Sequence, residues 1–268
     1  MQLQTAVRYF EKSLRHPFRA VRNGIHLVRV AMLDENAERQ KLFTFLEERF
    51  GANMRRIQRE FEASDFVRWT ATRRAALERY PGEYRFGSTG VRDCEALYYT
   101  VRALRPRVVV ETGVCYGASS SYILEALERN GSGILHSIDL GSPAGEPRND
   151  FFVHPLHRNR WHLHIGDSRG ILRPLLKQLG QIDHFHHDSL HTYEHMMWEY
   201  ETARPFIGPR GAISSDDVNI VLKLSQPFQR SPFADFCDRY KWDWLAVHNF
   251  GLGTDVPVPR SRTRAQQN

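Results

Sequence analysis

The sequence predicts an α/β protein: a mostly parallel sheet with helices on both faces, preceded by an all-helical extension. Three observations predict it. From about residue 91, short apolar runs alternate with amphipathic stretches, the texture of strand–helix–strand units. The first run, RVVVE at 107–111, is β-branched without polar alternation, as a strand buried on both faces would be. Before about residue 80 the apolar residues recur at steps of three and four, which is helical spacing.

Composition sets the outer limits. The chain has 268 residues, 41% apolar and 25% charged, an ordinary globular balance. No stretch reaches the ~18 unbroken apolar residues of a membrane span. The opening MQLQTAVRYFEKSLRH lacks the apolar core of a signal peptide. Three cysteines, Cys94, Cys115 and Cys237, are odd in number and far apart. They predict free thiols in a reducing compartment, hence a cytoplasmic protein. The formal charge of +6 is concentrated at the ends: residues 1–30 hold six Lys/Arg against one acid, Glu11, and the tail after Pro257 holds three Arg and no acid. RNA-binding signatures, zinc-finger spacings and helix-turn-helix patterns are missing, so nucleic acid is not an expected partner.

Each element has its own justification. Val7, Phe10, Leu14, Phe18, Val21, Ile25 and Val28 form one helical stripe, with Pro17 starting a second helix. Asp34 caps the next run through Leu42, Phe43, Phe45, Leu46 and Phe50, and Gly51 stops it. Ser64 opens another that ends before Pro81-Gly82. The strands are then 107–111, GILHSID at 133–139, WHLHIGD at 161–167, IDHFHHD at 182–188 and GAISSDD at 211–217. Helices over 118–129, 169–179 and 192–204 separate them. WDWLAVHNFGLGTDV at 242–256 predicts a terminal hairpin.

Sites in such sheets lie beyond the carboxyl ends of the strands. Every predicted strand ends there in an acid: Glu111, Asp139, Asp167, Asp188 and the pair Asp216-Asp217. The first strand runs into ETGVCYGAS, with glycines at 113 and 117. These permit a sharp turn and close approach of a ligand, and the amides of the following helix start favour an anion. The spacing G-x-x-x-G is neither the dinucleotide fingerprint nor a Walker loop.

ETGVCYGASS, SIDLG, IGDS, DSLHTYE and ISSDDV follow one another in an order that resembles the class I S-adenosylmethionine-dependent methyltransferases. The likeness is strongest to the metal-dependent O-methyltransferase branch, around macrocin O-methyltransferase and cephalosporin-hydroxylase-type proteins. It covers about residues 90–250. The resemblance implies a Rossmann-like fold, with a helical extension at 1–85, a cofactor-binding domain at 86–256 and a basic disordered tail at 257–268. It implies Gly113 and Gly117 under the methionine part of the cofactor, Ser119 on its carboxylate and Glu111 facing its cationic end. Asp139 would accept the ribose hydroxyls, since a carboxylate only accepts. Asp167 and Ser168 match the turn that contacts adenine. Thr112 departs from the family, where an aliphatic residue is commoner.

Asp188, Asp216 and Asp217 end two strands that are neighbours in such a fold. Crowded carboxylates repel unless a cation joins them, and Mg²⁺ takes oxygen ligands. The family's metal ligands match these three positions. His191, at a helix start, matches a basic residue beside the substrate hydroxyl and is the expected general base, with Asp188 assisting. Ten of the thirteen histidines lie between 136 and 195. His187, His191 and His195, spaced by four, raise a zinc alternative that the predicted strand at His187 disfavours. His184 and His186 are expected to line one face of that strand.

The predicted function is methyl transfer from S-adenosylmethionine to a hydroxyl of a sugar or other hydroxylated metabolite, with a divalent cation. The acceptor is a small molecule or glycan. A nicotinamide-dependent oxidoreductase on the same fold, or a non-catalytic binding protein, are the alternatives. The segment Gly141–Arg160, rich in Arg and His, is expected to border the acceptor pocket. The N-terminal stripe predicts docking on the catalytic domain or on a second copy of the chain. The alternative is peripheral contact with anionic lipid through Arg8, Arg15, Arg19, Arg22 and Arg29.

Overall fold

The computed structural model describes residues 34–80, 89–142, 146–218 and 231–258. The expectations for the stripe at 7–28, its arginines and nearly all of the basic tail lie outside them.

Helices α1 (Glu35–Phe50), α2 (Met54–Glu62), α3 (Asp65–Leu77) and α4 (Val91–Leu104) precede the sheet. Asp34 caps α1 by accepting the amides of Asn36 and Ala37, and Gly51 ends it in the left-handed region at φ 69°. Ser64 begins α3 as expected but makes no capping bond; its hydroxyl donates back to the Phe61 carbonyl at 2.7 Å.

The remaining elements are β1 (Val108–Thr112), α5 (Ala118–Asn130), β2 (Ile134–Asp139), β3 (Trp161–Ile165), α6 (Ser168–Leu179), β4 (Ile182–His187), α7 (Tyr193–Ala203), β5 (Ile207–Ser215), α8 (Pro232–Tyr240), β6 (Asp243–Val247) and β7 (Phe250–Thr254). The sheet has seven strands in the order β3-β2-β1-β4-β5-β7-β6. β1 to β5 run parallel, and β7 joins β5 and β6 antiparallel. This is the predicted Rossmann-like architecture with its terminal hairpin.

Alternate residues of each strand face opposite layers, as the pleat requires. Val109, Leu135 and Ala212 pack with α1 to α5, while Val110, Ile138, Phe185 and Ile213 pack with α6 to α8. The leading helices share the first of these cores. Phe43 stands edge-on to Tyr99 of α4 at 4.9 Å, and Trp69 Nε1 donates to the Phe152 carbonyl at 2.9 Å. Among the described residues no helix is long and apolar enough to cross a membrane.

Candidate active site at the carboxyl edge of the sheet

β1 delivers the chain into a turn through Gly113 (φ 83°), Cys115 (φ 51°) and Gly117 (φ 81°). Left-handed backbone at both glycines is what a Cβ resists. A Cβ on Gly113 would stand 1.9 Å from the Asp188 carbonyl oxygen, and one on Gly117 would stand 2.4 Å from that of Asn149. The close approach expected of a ligand is therefore made here by the protein's own backbone. No side chain caps the start of α5, so its first-turn amides retain the partial positive charge that attracts an anion.

Asp139, at the end of β2, holds this turn. Its Oδ2 accepts the amides of Val114 (2.8 Å) and Cys115 (3.1 Å). Its Oδ1 accepts Gly141 N (2.7 Å) and Asn149 Nδ2 (2.9 Å). Beside it, among the described residues, a pocket of about 350 Å³ is lined by Gly141, Asn149, Trp161, Leu163 and Ile165.

Across β1, at the ends of β4 and β5, the character reverses. Asp188, Asp216 and Asp217 gather with a fourth carboxylate, Asp93 of α4. Burial, and then the charges of Asp188, Asp93 and Asp217, raise Asp216 well above the carboxylate range. Burial also pushes Asp93 up to about 7, against the hydrogen bond from Asn249. Asp217 is raised by burial, opposed by His191. Asp216 is 8% exposed, and its Oδ1 has no hydrogen-bond partner among the described residues. Thr89 donates to Asp188 Oδ2 at 2.7 Å. His191 lies between two of the acids: Nδ1 is 3.2 Å from Asp217 Oδ2 and Nε2 is 3.6 Å from Asp188 Oδ1.

Residues 110–218 match a sequence family described as a methyltransferase domain. They span this edge from β1 to just past Asp217.

Residues 110–218 therefore carry the likeness to a methyltransferase domain.

No curated protein matches the chain by sequence. Among solved structures it is similar to the SAH-bound methyltransferase PaMTH1 of Podospora anserina, at 14% identity and a TM-score of 0.52, over 71% of this chain and 87% of that one. It is also similar to a methyltransferase from Geobacter sulfurreducens, at 19% identity and a TM-score of 0.50, over 74% and 94% of the two chains. These likenesses are of fold.

Within residues 110–218 several expected contacts are made inside the protein. Glu111 is fully buried and is sealed by the hydroxyls of Ser119 (2.6 Å), Ser120 (2.6 Å) and Ser137 (2.7 Å). Neither Glu111 nor the Ser119 hydroxyl faces the opening; each satisfies the other, because a buried carboxyl needs donors. Burial pushes Glu111 up to about 7, against those three hydrogen bonds. Asp167 is exposed and caps α6 through Arg169 N at 2.9 Å. Ser168 is buried, 3.3 Å from His195 Nε2.

Among the described residues no three His, Cys, Asp or Glu side chains are already arranged to hold a metal ion. His191 Nδ1 lies 3.2 Å from Asp217 Oδ2, so that carboxyl orients the ring. The zinc alternative fails for the same three histidines. His187 and His195 bond Glu199 at 2.6 and 2.9 Å, while His191 points to the aspartates. The donor chemistry of the aspartates, all oxygen, with the orphaned Asp216 Oδ1, still suits a hard cation in kind.

The 141–160 segment is corrected in part. Phe152 N donates to the Tyr116 carbonyl at 3.0 Å and Arg73 of α3 donates to the Phe151 carbonyl at 2.7 Å, so the segment is clamped over the glycine turn. Arg160 is not at the site edge: it bonds the carbonyl of Gly133 before β2 and Glu128, at the amino end of the strands. Arg158 is paired with Asp150 at 2.6 Å.

Two functional candidates escaped the sequence. Asp93, in VRDCEAL, looks like an ordinary helix-start acid. Glu199, in MMWEYETA, looks like a surface glutamate, yet it is fully buried on the α6–α8 side. Burial alone would raise it, but the hydrogen bond and charge of His187, with His195 and Thr112, hold it well below the carboxylate range. This also explains Thr112, whose hydroxyl donates to Glu199 at 2.5 Å.

Proposed function

We propose that the protein transfers a methyl group from S-adenosylmethionine to a hydroxyl of a sugar or another hydroxylated small molecule, assisted by a divalent cation such as Mg²⁺. The observation that carries this reading is the juxtaposition, on one edge of a methyltransferase domain, of the glycine turn anchored by Asp139 and the acid cluster around His191. The uncapped start of α5 suits the anionic end of the cofactor, and the pocket beside Asp139 suits its nucleoside.

When bound, S-adenosylmethionine supplies an electrophilic methyl, and a divalent cation supplies Lewis acidity at the hydroxyl oxygen. The chain's residues do the rest. Asp139 fixes the turn over which the cofactor lies, and offers acceptors for a diol if its amide bonds yield. Asp188, Asp216 and Asp217 would hold the cation. His191, oriented by Asp217, takes the hydroxyl proton as the nucleophile forms. Glu111 and its three serines keep the floor of the site rigid, so that positioning rather than covalent chemistry carries catalysis.

Thermal unfolding with S-adenosylmethionine, S-adenosylhomocysteine or NAD, each with and without Mg²⁺, tests the reading. A ligand at 100 times its Kd adds about 2.7 kcal/mol. Stabilisation by the two adenosyl ligands and by Mg²⁺ is expected. Stabilisation by NAD alone would overturn the methyl-transfer reading.

A further inference from the structure

Beneath the candidate site lies a second polar centre on the opposite face of the sheet. We propose that Glu199 is a positioning residue for cofactor binding, fixing the Thr112–Gly113 turn and the Ser168 turn against the turn after β4. The inference rests on the S-adenosylmethionine reading above.

Both oxygens of Glu199 are filled. Oε2 accepts Thr112 Oγ1 at 2.5 Å and pairs with His187 Nδ1 at 2.6 Å. Oε1 accepts Ser189 Oγ at 3.0 Å and pairs with His195 Nε2 at 2.9 Å. A carboxylate has about four lone-pair sites, and all four are used. Each partner borders or reaches a strand-end turn. Thr112 precedes Gly113. His187 and Ser189 flank Asp188, whose amide donates to the Thr112 carbonyl at 2.8 Å. His195 Nε2 also lies 3.3 Å from Ser168 Oγ. The carboxylate thus links the turns after β1, β3 and β4 from below.

The surroundings are apolar: Val110, Ile138, Phe185 and Met196 belong to the same core. Apolar packing alone would dock α7 on the sheet at lower desolvation cost. What it cannot do is fix hydroxyl and imidazole groups in direction, which a fully satisfied network does. Thr112 is the residue of the ETG turn whose hydroxyl meets the buried carboxylate.

Calorimetric titration with S-adenosylhomocysteine, alongside thermal unfolding, tests the proposal on Thr112→Val, Thr112→Ser and Glu199→Gln. Thr112→Val keeps the shape and removes the donor; Thr112→Ser keeps the donor. Weakening of about ten-fold or more is expected for Thr112→Val and Glu199→Gln, the scale on which orienting partners act on a site. Thr112→Ser should bind within about two-fold of the unaltered protein. If Thr112→Val and Glu199→Gln bind S-adenosylhomocysteine normally and lose only melting temperature, the centre is purely structural and the proposal is overturned. Equal weakening in Thr112→Ser and Thr112→Val would overturn it too, since the hydroxyl would not be the operative group. Should Glu199→Gln fail to fold, the two Thr112 variants decide. Absence of binding to the unaltered protein would instead overturn the cofactor reading, and this inference with it.

Discussion

The two halves of the carboxyl edge are built on opposite principles. Around the glycine turn the acids are satisfied: Glu111 has three hydroxyl donors, and Asp139 has four donors, three of them backbone amides. Around His191 the acids face one another, and one buried oxygen of Asp216 has no partner among the described residues. The first half is finished by folding. The second holds charge that only a proton, a histidine or a cation can offset. The difference teaches where folding completes an edge: a turn can be finished by internal hydrogen bonds, whereas crowded carboxylates keep their repulsion until a proton or a cation offsets it.

The largest expected effect lies at the turn that joins the halves. Gly113→Ala places a Cβ against the Asp188 backbone in a left-handed conformation, and should cost on the order of 3 kcal/mol or more in urea unfolding. Gly131 has a similar φ of 72° with nothing near its Cβ position, so Gly131→Ala should cost only about 1 kcal/mol. Equal costs would show that the turn yields and that the halves are not rigidly joined.

Acid comes next. Burial lowers His184 to about 3, and burial with the neighbouring imidazoles lowers His136 to about 4. Burial lowers His186 to about 4 as well. His184 and His186 share the Ser214 hydroxyl, and His136 lies 3.2 Å from His164 across the β2–β3 edge. The unfolded chain binds more protons than the fold between about pH 6.5 and 4, so stability rises with pH through that window and is lost as pH falls. A loss on the order of 2–3 kcal/mol between pH 7 and 4 is expected in urea titrations. Glu111, raised to about 7, works the other way: its contribution is full below the unfolded value and fades as pH rises through 7. A flat acid limb would mean that these imidazoles are hydrated.

A smaller effect bears directly on the comparison. Asp139→Ala removes the acceptor for four donors and should cost about 1–3 kcal/mol. Asp216→Asn, at pH 8 in chelator, removes a carboxyl that must either hold its proton or carry an unpaired charge, and should stabilise by about 1 kcal/mol. Opposite signs sharpen the contrast; two losses would break it. If Asp216 holds a cation as proposed, the gain from Asp216→Asn should reverse in Mg²⁺.

The smallest effect is at the rim. Arg158 pairs with Asp150 across a half-exposed surface, and Arg158→Ala should change stability by less than about 1 kcal/mol. It should leave S-adenosylhomocysteine binding little changed, since Arg158 reaches the pocket beside Asp139 only through Asp150. Loss of binding would return the 141–160 segment to the site.

The expectation that every strand ends in an acid at one edge was readable because strand runs are local. β1 to β5 each carry a run ending in Glu111, Asp139, Asp167, Asp188 or Asp216, and the structure shifts the strand bounds by a few residues at most, β5 starting earliest. Helices α4 and α8 carried no sequence expectation. Asp93 stayed hidden with α4, because a helix-start acid looks the same whether it faces water or a neighbouring acid. Arg160 misled in the other direction: proximity to a site loop in sequence placed it at the wrong end of β3.

By itself, then, the sequence determined the strand runs, the acid at the end of each, the glycine turn and the caps at Asp34 and Gly51. These depend on backbone preference and on spacing within a few residues. Tertiary structure alone decided what each acid meets. Glu111 meets serines from α5 and β2, Asp139 meets the turn it supports, and Glu199 is drawn inside by Thr112 and two histidines. Asp93 arrives from α4 to face Asp216. The physical reason is that a carboxyl's state is set by the donors, charges and burial brought to it from distant segments. Those are assembled only when the helices close on the two faces of the sheet.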